Sequence, residues 1–288
     1  MHSEIDSIAV IGTGQMGRGI AQVATQAGLS VQLCDRDADI AMAGKQHIGK
    51  QLERLVQKGR LSKDAAEAAK ARLQVVATPA ALPPVAAVIE AVSEEVTLKQ
   101  RIFQSLAEAL PDSTILASNT SSVSITLLAS AVKAPERVVG LHFFNPVPVM
   151  PLVELIAGLR TSKATLETAG QLAAALGKEV VRVQDAPAFT VNRILMPLVL
   201  EACHTLQEGL SSMADIDKAV KLGLNHPMGP FELADFVGLD TVLAIAELLH
   251  RETGDPKFAP PRILRQHVTA GFLGRKSGRG FYDYQGDA

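Results

Sequence analysis

Apolar positions along this chain fall into two textures. From residue 5 to about 185, short apolar runs alternate with longer stretches of helical spacing. "SIAVIG" leads into an Ala/Gly-rich helix up to Gly28, and "SVQLCD" into a helix beginning near Asp37. "LQVVAT", "AAVIEAV", "STILASN", "RVVGLHF" and "EVVRVQD" continue the series. Several of these runs are apolar at nearly every position, as strands are when helices cover both faces of their sheet. Such alternation predicts βαβ units with right-handed crossovers, hence an α/β domain with a doubly wound, mostly parallel sheet. The stretch from about 37 to 71 exceeds one crossover helix and reads as two, joined near Gly59 and restarted by Ser62 as N-cap.

After Pro187 the strand pattern stops. "NRILMPLVLEACHTLQEG", "SSMADIDKAVKLGL" and "GPFELADFVGLDTVLAIAELLHRETG" all carry helical spacing. Ser212 to Asp215 has the capping-box form, with Asp in place of the usual Glu. The expected organisation is an α/β domain over 1–186, with its helical excursion at about 37–71, and an all-helical domain over 187–288. A linker this short predicts close packing with a binding cleft between the two.

Composition narrows the class. A length of 288 residues suits two domains, and 47% hydrophobic against 20% charged residues supplies their cores. The net charge of −2, without a block of Lys or Arg, argues against nucleic acid or an anionic membrane as partner. No apolar run approaches the ~18 residues that span a bilayer. "MHSEIDSIAV" carries acids and enters a strand at once, so no signal peptide is expected. Cys34 and Cys203 form no CxxC pair and read as buried thiols in a reducing compartment, with no metal site. A cytoplasmic protein is the expectation.

The chemistry starts at "IAVIGTGQMGRG". Gly12, Gly14 and Gly17, with Gln15 and Met16 between them, form a GxGxxG turn that follows a strand and opens a helix. Asp35 ends the next strand 21 residues after Gly14, near the ~20 expected of a ribose-binding acid. Gly12 allows the tight turn, Gly14 the approach of a pyrophosphate, and Gly17 the packing of helix on strand, while the helix N-terminus faces the phosphates. This predicts a Rossmann-type dinucleotide site. Asp35 repels a 2′-phosphate, so NAD is favoured over NADP, although the adjacent Arg36 works against that preference.

His142 ends a late strand, at the edge where open α/β sheets bind ligands. Glu154 lies twelve residues on in a second extended run, and "FFNPVPVMP" between them is able to turn the chain back. A carboxylate beside the ring would fix its tautomer and leave the other nitrogen as a general base. The same pair would also serve to tie two strands together, and spacing alone does not separate these roles. "ILASNTSS" places Ser118, Asn119, Thr120, Ser121 and Ser122 directly after another strand, where most of the hydroxyls are expected to cap the next helix. Asn192 stands near the start of the helical domain.

Taken in order, "GTGQMG", "ASNTSS", "GLHFFNPVPVM…LVE", "VNR", "LGLNHPMGPFELADFVGLD" and "GRKSGRGFYDY" resemble the 3-hydroxyacyl-CoA dehydrogenases from residue 5 to about 284. The likeness is greatest to the bacterial short-chain type, the 3-hydroxybutyryl-CoA dehydrogenases. The resemblance implies NAD-dependent oxidation of (S)-3-hydroxyacyl-CoA to 3-ketoacyl-CoA, and the reverse. It puts the general base at His142, its carboxylate at Glu154, the serine that binds the substrate's 3-oxygen at Ser121, and the cleft asparagine at Asn192. Glu94, Lys99 and Lys276 match residues lining the dinucleotide site, and Lys58 matches a lysine that contacts CoA. Lys45, Lys50 and Arg54 share that helical stretch, though a solvated basic face accounts for Lys45 and Lys50. Two positions depart from the family: Gln51 replaces a CoA-contacting serine, and Ala188 stands where glycine is usual. The resemblance also implies a homodimer through residues beyond 187.

Three other readings stand beside this one. A 3-hydroxyadipyl-CoA dehydrogenase would act on a dicarboxylyl thioester. A free hydroxy-acid dehydrogenase has no use for Lys58 and its basic helix. A non-catalytic dinucleotide-binding protein has no need to keep His142, Glu154, Ser121 and Asn192 together.

Overall fold

A computed structural model describes residues 5–285. The reading of a leaderless start rests partly on the first four residues, which lie outside the described ones. The chain divides after Ala186 into two compact units.

The first unit contains one eight-stranded sheet. In chain order its elements are β1 (Ser7–Ile11), α1 (Gln15–Gln26), β2 (Ser30–Cys34), α2 (Ala38–Gln57), α3 (Lys63–Ala71) and β3 (Leu73–Val75). Then follow β4 (Ala87–Glu90), α4 (Val96–Ala109), β5 (Ile115–Ser118), α5 (Ile125–Ala129), β6 (Val138–Phe143), β7 (Leu152–Ala157), α6 (Lys163–Ala175) and β8 (Glu179–Gln184). The strand order is β3-β2-β1-β4-β5-β6-β7-β8, parallel throughout except for the β6–β7 pair. Ile8, Val10, Val88, Ile89, Leu116, Val138 and Val139 are fully buried, which is why these runs lack a polar face. The winding reverses between β1 and β4, and a crevice opens there at the carboxyl ends of the strands.

The excursion after β2 is the crossover to β3. Asp37 caps α2 by accepting from Ile40 N, and Ser62 caps α3 by accepting from Ala65 N. Gly44 lets α2 lie on the glycine loop, since a Cβ there would sit 2.6 Å from Thr13 Cβ. The last apolar run becomes β8, an edge strand with Val181 exposed, so it is not covered as the inner strands are.

The second unit holds α7 (Val191–Gln207), α8 (Met213–Gly223), α9 (Pro230–Val237), α10 (Leu239–Thr253) and α11 (Arg262–Thr269). Its core gathers Met196, Val199, Leu200, Phe231, Val242, Leu249 and Phe258. Ser212 Oγ accepts from Asp215 N as a cap should, but Asp215 bonds the Ser212 hydroxyl and not its backbone amide. Aspartate is one methylene shorter than the glutamate of a full capping box. Ala188 has φ +59°, in the left-handed region that disfavours a side chain, which explains why glycine suits this position. The tail is fastened by a buried carboxylate, Asp235, which accepts from Phe281 N, Tyr282 N and Tyr284 Oη.

Candidate active site

The glycine loop is built by contacts that no other residue could make. Gly12 has φ +94°, and a Cβ on it would lie 2.6 Å from Ala91 O. A Cβ on Gly17 would fall 1.8 Å from Gly12 O, so the first turn of α1 needs a bare backbone to close on β1. Above Gly14 a Cβ would meet nothing within 4 Å, leaving that side open to an approaching group. The adjoining cavity, about 550 Å³, is lined by Gly12, Gly14, Asp35 and Arg36 and, across from them, Pro79 and Val92. Asp35 Oδ2 accepts from Thr13 N at 2.6 Å and Thr13 Oγ1 at 2.8 Å, which fixes the carboxylate in the cavity wall. Arg36 turns outward, with Nε 3.8 Å from Asp37 Oδ2. Open backbone, a helix N-terminus and an anchored acid in one cavity fit a dinucleotide with free ribose hydroxyls. The Gln15 and Met16 side chains are not among those lining this cavity. Gln15 Nε2 donates to Asn145 Oδ1, and Met16 packs against the hydrophobic core.

Behind the cavity lies a charged network. Glu90, the last residue of β4, is wholly buried; its Oε1 receives Lys99 Nζ at 2.7 Å and Val92 N at 2.7 Å, and its Oε2 receives Ser118 Oγ at 2.7 Å. Lys99 is 1% exposed and also reaches Glu94 Oε2 at 3.1 Å. Glu94 Oε1 in turn accepts from Ser121 N at 2.6 Å, Ser121 Oγ at 3.1 Å and Thr120 Oγ1 at 2.9 Å. Lys99 therefore does not line the cavity. Two carboxylates draw its ammonium inward, and its link to the cavity is the carbonyl of Val92, 3.4 Å away; Glu94 is not among the lining residues either. The expected capping hydroxyls are corrected as well: Ser124 caps α5, while Ser118, Thr120 and Ser121 serve Glu90 and Glu94.

The histidine stands near the carboxyl end of β6 in the same sheet. β6 and β7 run antiparallel, and their register sets His142 opposite Glu154. His142 Nδ1 lies 2.8 Å from Glu154 Oε2, with the two residues 6% and 0% exposed. Asn119 Oδ1 accepts from Phe143 N at 2.9 Å, tying the end of β5 to the residue after the histidine. The Phe144 ring lies against the imidazole, centroids 4.6 Å apart. With Nδ1–H donated to the carboxylate, Nε2 is the basic nitrogen of the ring.

Comparison with known proteins decides the family. The NAD-binding domain of 3-hydroxyacyl-CoA dehydrogenase matches residues 7–186, and the C-terminal domain of the same enzymes matches residues 189–284. The chain belongs to the 3-hydroxyacyl-CoA dehydrogenase family. It is an oxidoreductase of CH–OH groups that uses NAD. The 3-hydroxybutyryl-CoA dehydrogenase of Bradyrhizobium diazoefficiens is 48% identical over 286 residues, covering 99% of this chain and 98% of that one. The crystal structure of (S)-3-hydroxybutyryl-CoA dehydrogenase PaaH1 from Ralstonia eutropha superposes with a TM-score of 0.94 at 44% identity, covering 98% of this chain and 100% of that one. The 3-hydroxyadipyl-CoA dehydrogenase of Escherichia coli is 40% identical over 288 residues, covering all of this chain and 61% of its own length.

The other positions that the 3-hydroxyacyl-CoA dehydrogenase motifs single out are spread over both units. Lys58 is the exposed C-cap of α2, and Lys45, Lys50, Arg54 and Lys58 enter no ion pair among the described residues. Gln51 Nε2 lies 3.2 Å from His47 Nε2, beside a second cavity of about 280 Å³ that Arg18, Leu55 and Pro148 also line. Burial, with Arg18, Arg54 and Lys50 nearby, lowers the His47 pKa. In the second unit Asn192 occupies the first turn of α7, and Lys276 Nζ lies 2.7 Å from Asp240 Oδ2. Glu90 and Lys178 escaped the sequence reading, and Asn119 was placed after its strand without a role. For Glu90 and Asn119 the available signal was a charged or amide group at the end of an apolar strand; Lys178, ahead of an exposed strand, gave none.

Proposed function

We propose that this dehydrogenase oxidises a short-chain (S)-3-hydroxyacyl-CoA, such as 3-hydroxybutyryl-CoA, to the 3-ketoacyl-CoA and runs the reverse reduction. The observation that carries this reading is the buried 2.8 Å contact between His142 Nδ1 and Glu154 Oε2 at the ligand-binding edge of the sheet. Bound NAD supplies the two-electron acceptor for C3. His142 Nε2 takes the proton from the C3 hydroxyl in oxidation and returns it to the carbonyl oxygen in reduction. Glu154 keeps Nδ1 protonated and stabilises the imidazolium formed each time Nε2 is charged. Ser121 and Asn192 hold the substrate's oxygens, and such positioning lowers a barrier by avoiding reorganisation during the step. The exposed cations of α2 suit the phosphates of CoA, with Lys58 as the principal contact.

Leu210, Leu222 and Leu224 are exposed on the second unit, and a homodimer covering them is part of this reading. A monomeric mass at micromolar concentration would refute it. A cytoplasmic location accords with two free, buried cysteines. Likeness to the Escherichia coli enzyme supports 3-hydroxyadipyl-CoA as a second substrate reading.

The test is NADH oxidation with acetoacetyl-CoA, repeated with NADPH and with His142→Gln. We expect turnover with NADH, little with NADPH, and a loss of several orders of magnitude in the variant at nearly unchanged dinucleotide affinity. A variant with near-normal rate would place the base elsewhere. A higher kcat/KM for a dicarboxylyl thioester would favour the second substrate.

A further inference from the structure

The loop that joins the two halves of the acid–base pair is gripped from both sides. It runs from Phe144 to Pro151, between the end of β6 and the start of β7. On one side stands Lys178, the residue before β8. Its Nζ donates to Val147 O at 2.6 Å and to Met150 O at 2.9 Å, and the residue is 9% exposed. Glu179 N adds a bond to Pro151 O at 2.8 Å. On the other side α1 seats the same loop. Gln15 Nε2 donates to Asn145 Oδ1 at 2.8 Å, and a Cβ on Gly19 would lie 2.8 Å from Val147 Cβ. Val147 is thus held by its carbonyl from below and by its side chain from above.

Lys178 is a costly way to fill that space. Removal from water lowers its pKa, and no acidic partner among the described residues offsets the loss. A methionine would occupy the same volume without burying an ammonium. What only a cation with several N–H groups can do here is gather two carbonyls of one turn onto a single point.

The consequence falls on register. The β6–β7 ladder pairs Gly140 to Phe143 with Ile156 to Val153, and Phe143–Val153 is its last pair before the loop. His142 is one position inside that end. The span of the loop therefore sets where Glu154 stands against the imidazole, and a slip of one residue would turn its carboxylate to the other face of the sheet. Smaller displacements also matter, because a contact of 2.8 Å stops being a hydrogen bond when it lengthens by 1 Å.

We propose that Lys178 is a positioning residue for the His142–Glu154 pair, acting through the carbonyls of Val147 and Met150. The inference rests on the acid–base reading given above. Because α1 grips the opposite side of the loop, the helix whose N-terminus faces the dinucleotide cavity and the strand pair that carries the base share one support.

Three variants test it, with His142→Gln as reference. Lys178→Met keeps the length and loses both donors, Lys178→Arg keeps donors, and Gly19→Ala pushes on the loop from α1. The readouts are kcat and its pH profile for acetoacetyl-CoA reduction at saturating NADH, the Kd for NADH, and the melting temperature. Lys178→Met is expected to lower kcat about tenfold or more and to move the pH limb of kcat, with the Kd for NADH within about twofold. Lys178→Arg should recover most of kcat, and Gly19→Ala should move the same limb. Folded Lys178→Met with kcat and pH profile like the parent overturns the proposal, as does Lys178→Arg performing no better than Lys178→Met. Should Lys178→Met not fold, an unmoved pH limb in Gly19→Ala overturns it. His142→Gln at near-parent rate would sink the acid–base reading itself; its inactivity beside an unaltered Lys178→Met sinks only the positioning role.

Discussion

Thr13 gives both its amide and its hydroxyl to Asp35 Oδ2, at 2.6 and 2.8 Å. The glycine loop thereby anchors the acid proposed to face the ribose, where a fixed negative charge would select against a 2′-phosphate. Asp35→Asn keeps an acceptor for Thr13 and removes the charge. Its KM for NADH should rise about tenfold, the worth of a charge-assisted hydrogen bond, and NADPH should become a usable substrate. Comparing kcat/KM for the two dinucleotides checks this. An unchanged ratio would move the selectivity to another residue.

Glu154→Gln probes the partner of the proposed base. The amide retains an oxygen for Nδ1–H but no longer offers a charge to an imidazolium. We expect kcat to fall by about 10²–10³, within the range of general acid–base catalysis. A kcat close to the parent's would show that the carboxylate only ties strands.

Lys99 and Glu90 bury opposite charges 2.7 Å apart behind the dinucleotide cavity. Lys99→Met would strand the Glu90 carboxylate and free Glu94 from one of its donors. Removing one partner of a buried pair costs about 3–5 kcal/mol. The melting temperature should drop by roughly 10 °C for a unit of this size. Adding Glu90→Gln to Lys99→Met should return part of that loss. A fall of only a degree or two would mean that solvent reaches the pair.

The thiols make a prediction about pH. Burial, with Asp35 adding to it, pushes Cys34 from the ordinary 9.0 to about 11, and burial pushes Cys203 to about 12. At pH 8 about one thiol in a thousand or fewer is ionised at either site, so iodoacetamide should label neither until the protein unfolds. The native state holds these protons more tightly than the unfolded chain. The stability this confers is complete below about pH 9 and is lost as pH rises toward 11, which a set of melts from pH 7 to 11 would reveal. Rapid labelling of the native protein at pH 8 would contradict the burial of both.

Much of the architecture was already written in local signals. Fully apolar strands, the Gly12–Gly17 turn, the acid at Asp35, the Ser62 cap and the loss of strand pattern after Pro187 all act over a few residues of backbone. The antiparallel return to Glu154 was legible only as a capacity, from three prolines and a spacing. Polar satisfaction was not legible. Nothing in the sequence links Glu90 to Lys99, and the resemblance sets Lys99 at the dinucleotide site, not in a buried pair. Ser121 is assigned to the substrate by resemblance, and nothing local announces its bond to Glu94. Lys178 bonds carbonyls 28 and 31 residues away, a distance at which periodicity carries no information.

What the sequence determined by itself is which segments bury which faces, because hydrophobic period and turn chemistry are properties of neighbours along the chain. Which buried charge meets which partner was decided only by tertiary structure. A polar group removed from water must bond to whatever the packing brings within about 3 Å, and that is fixed by the fold as a whole.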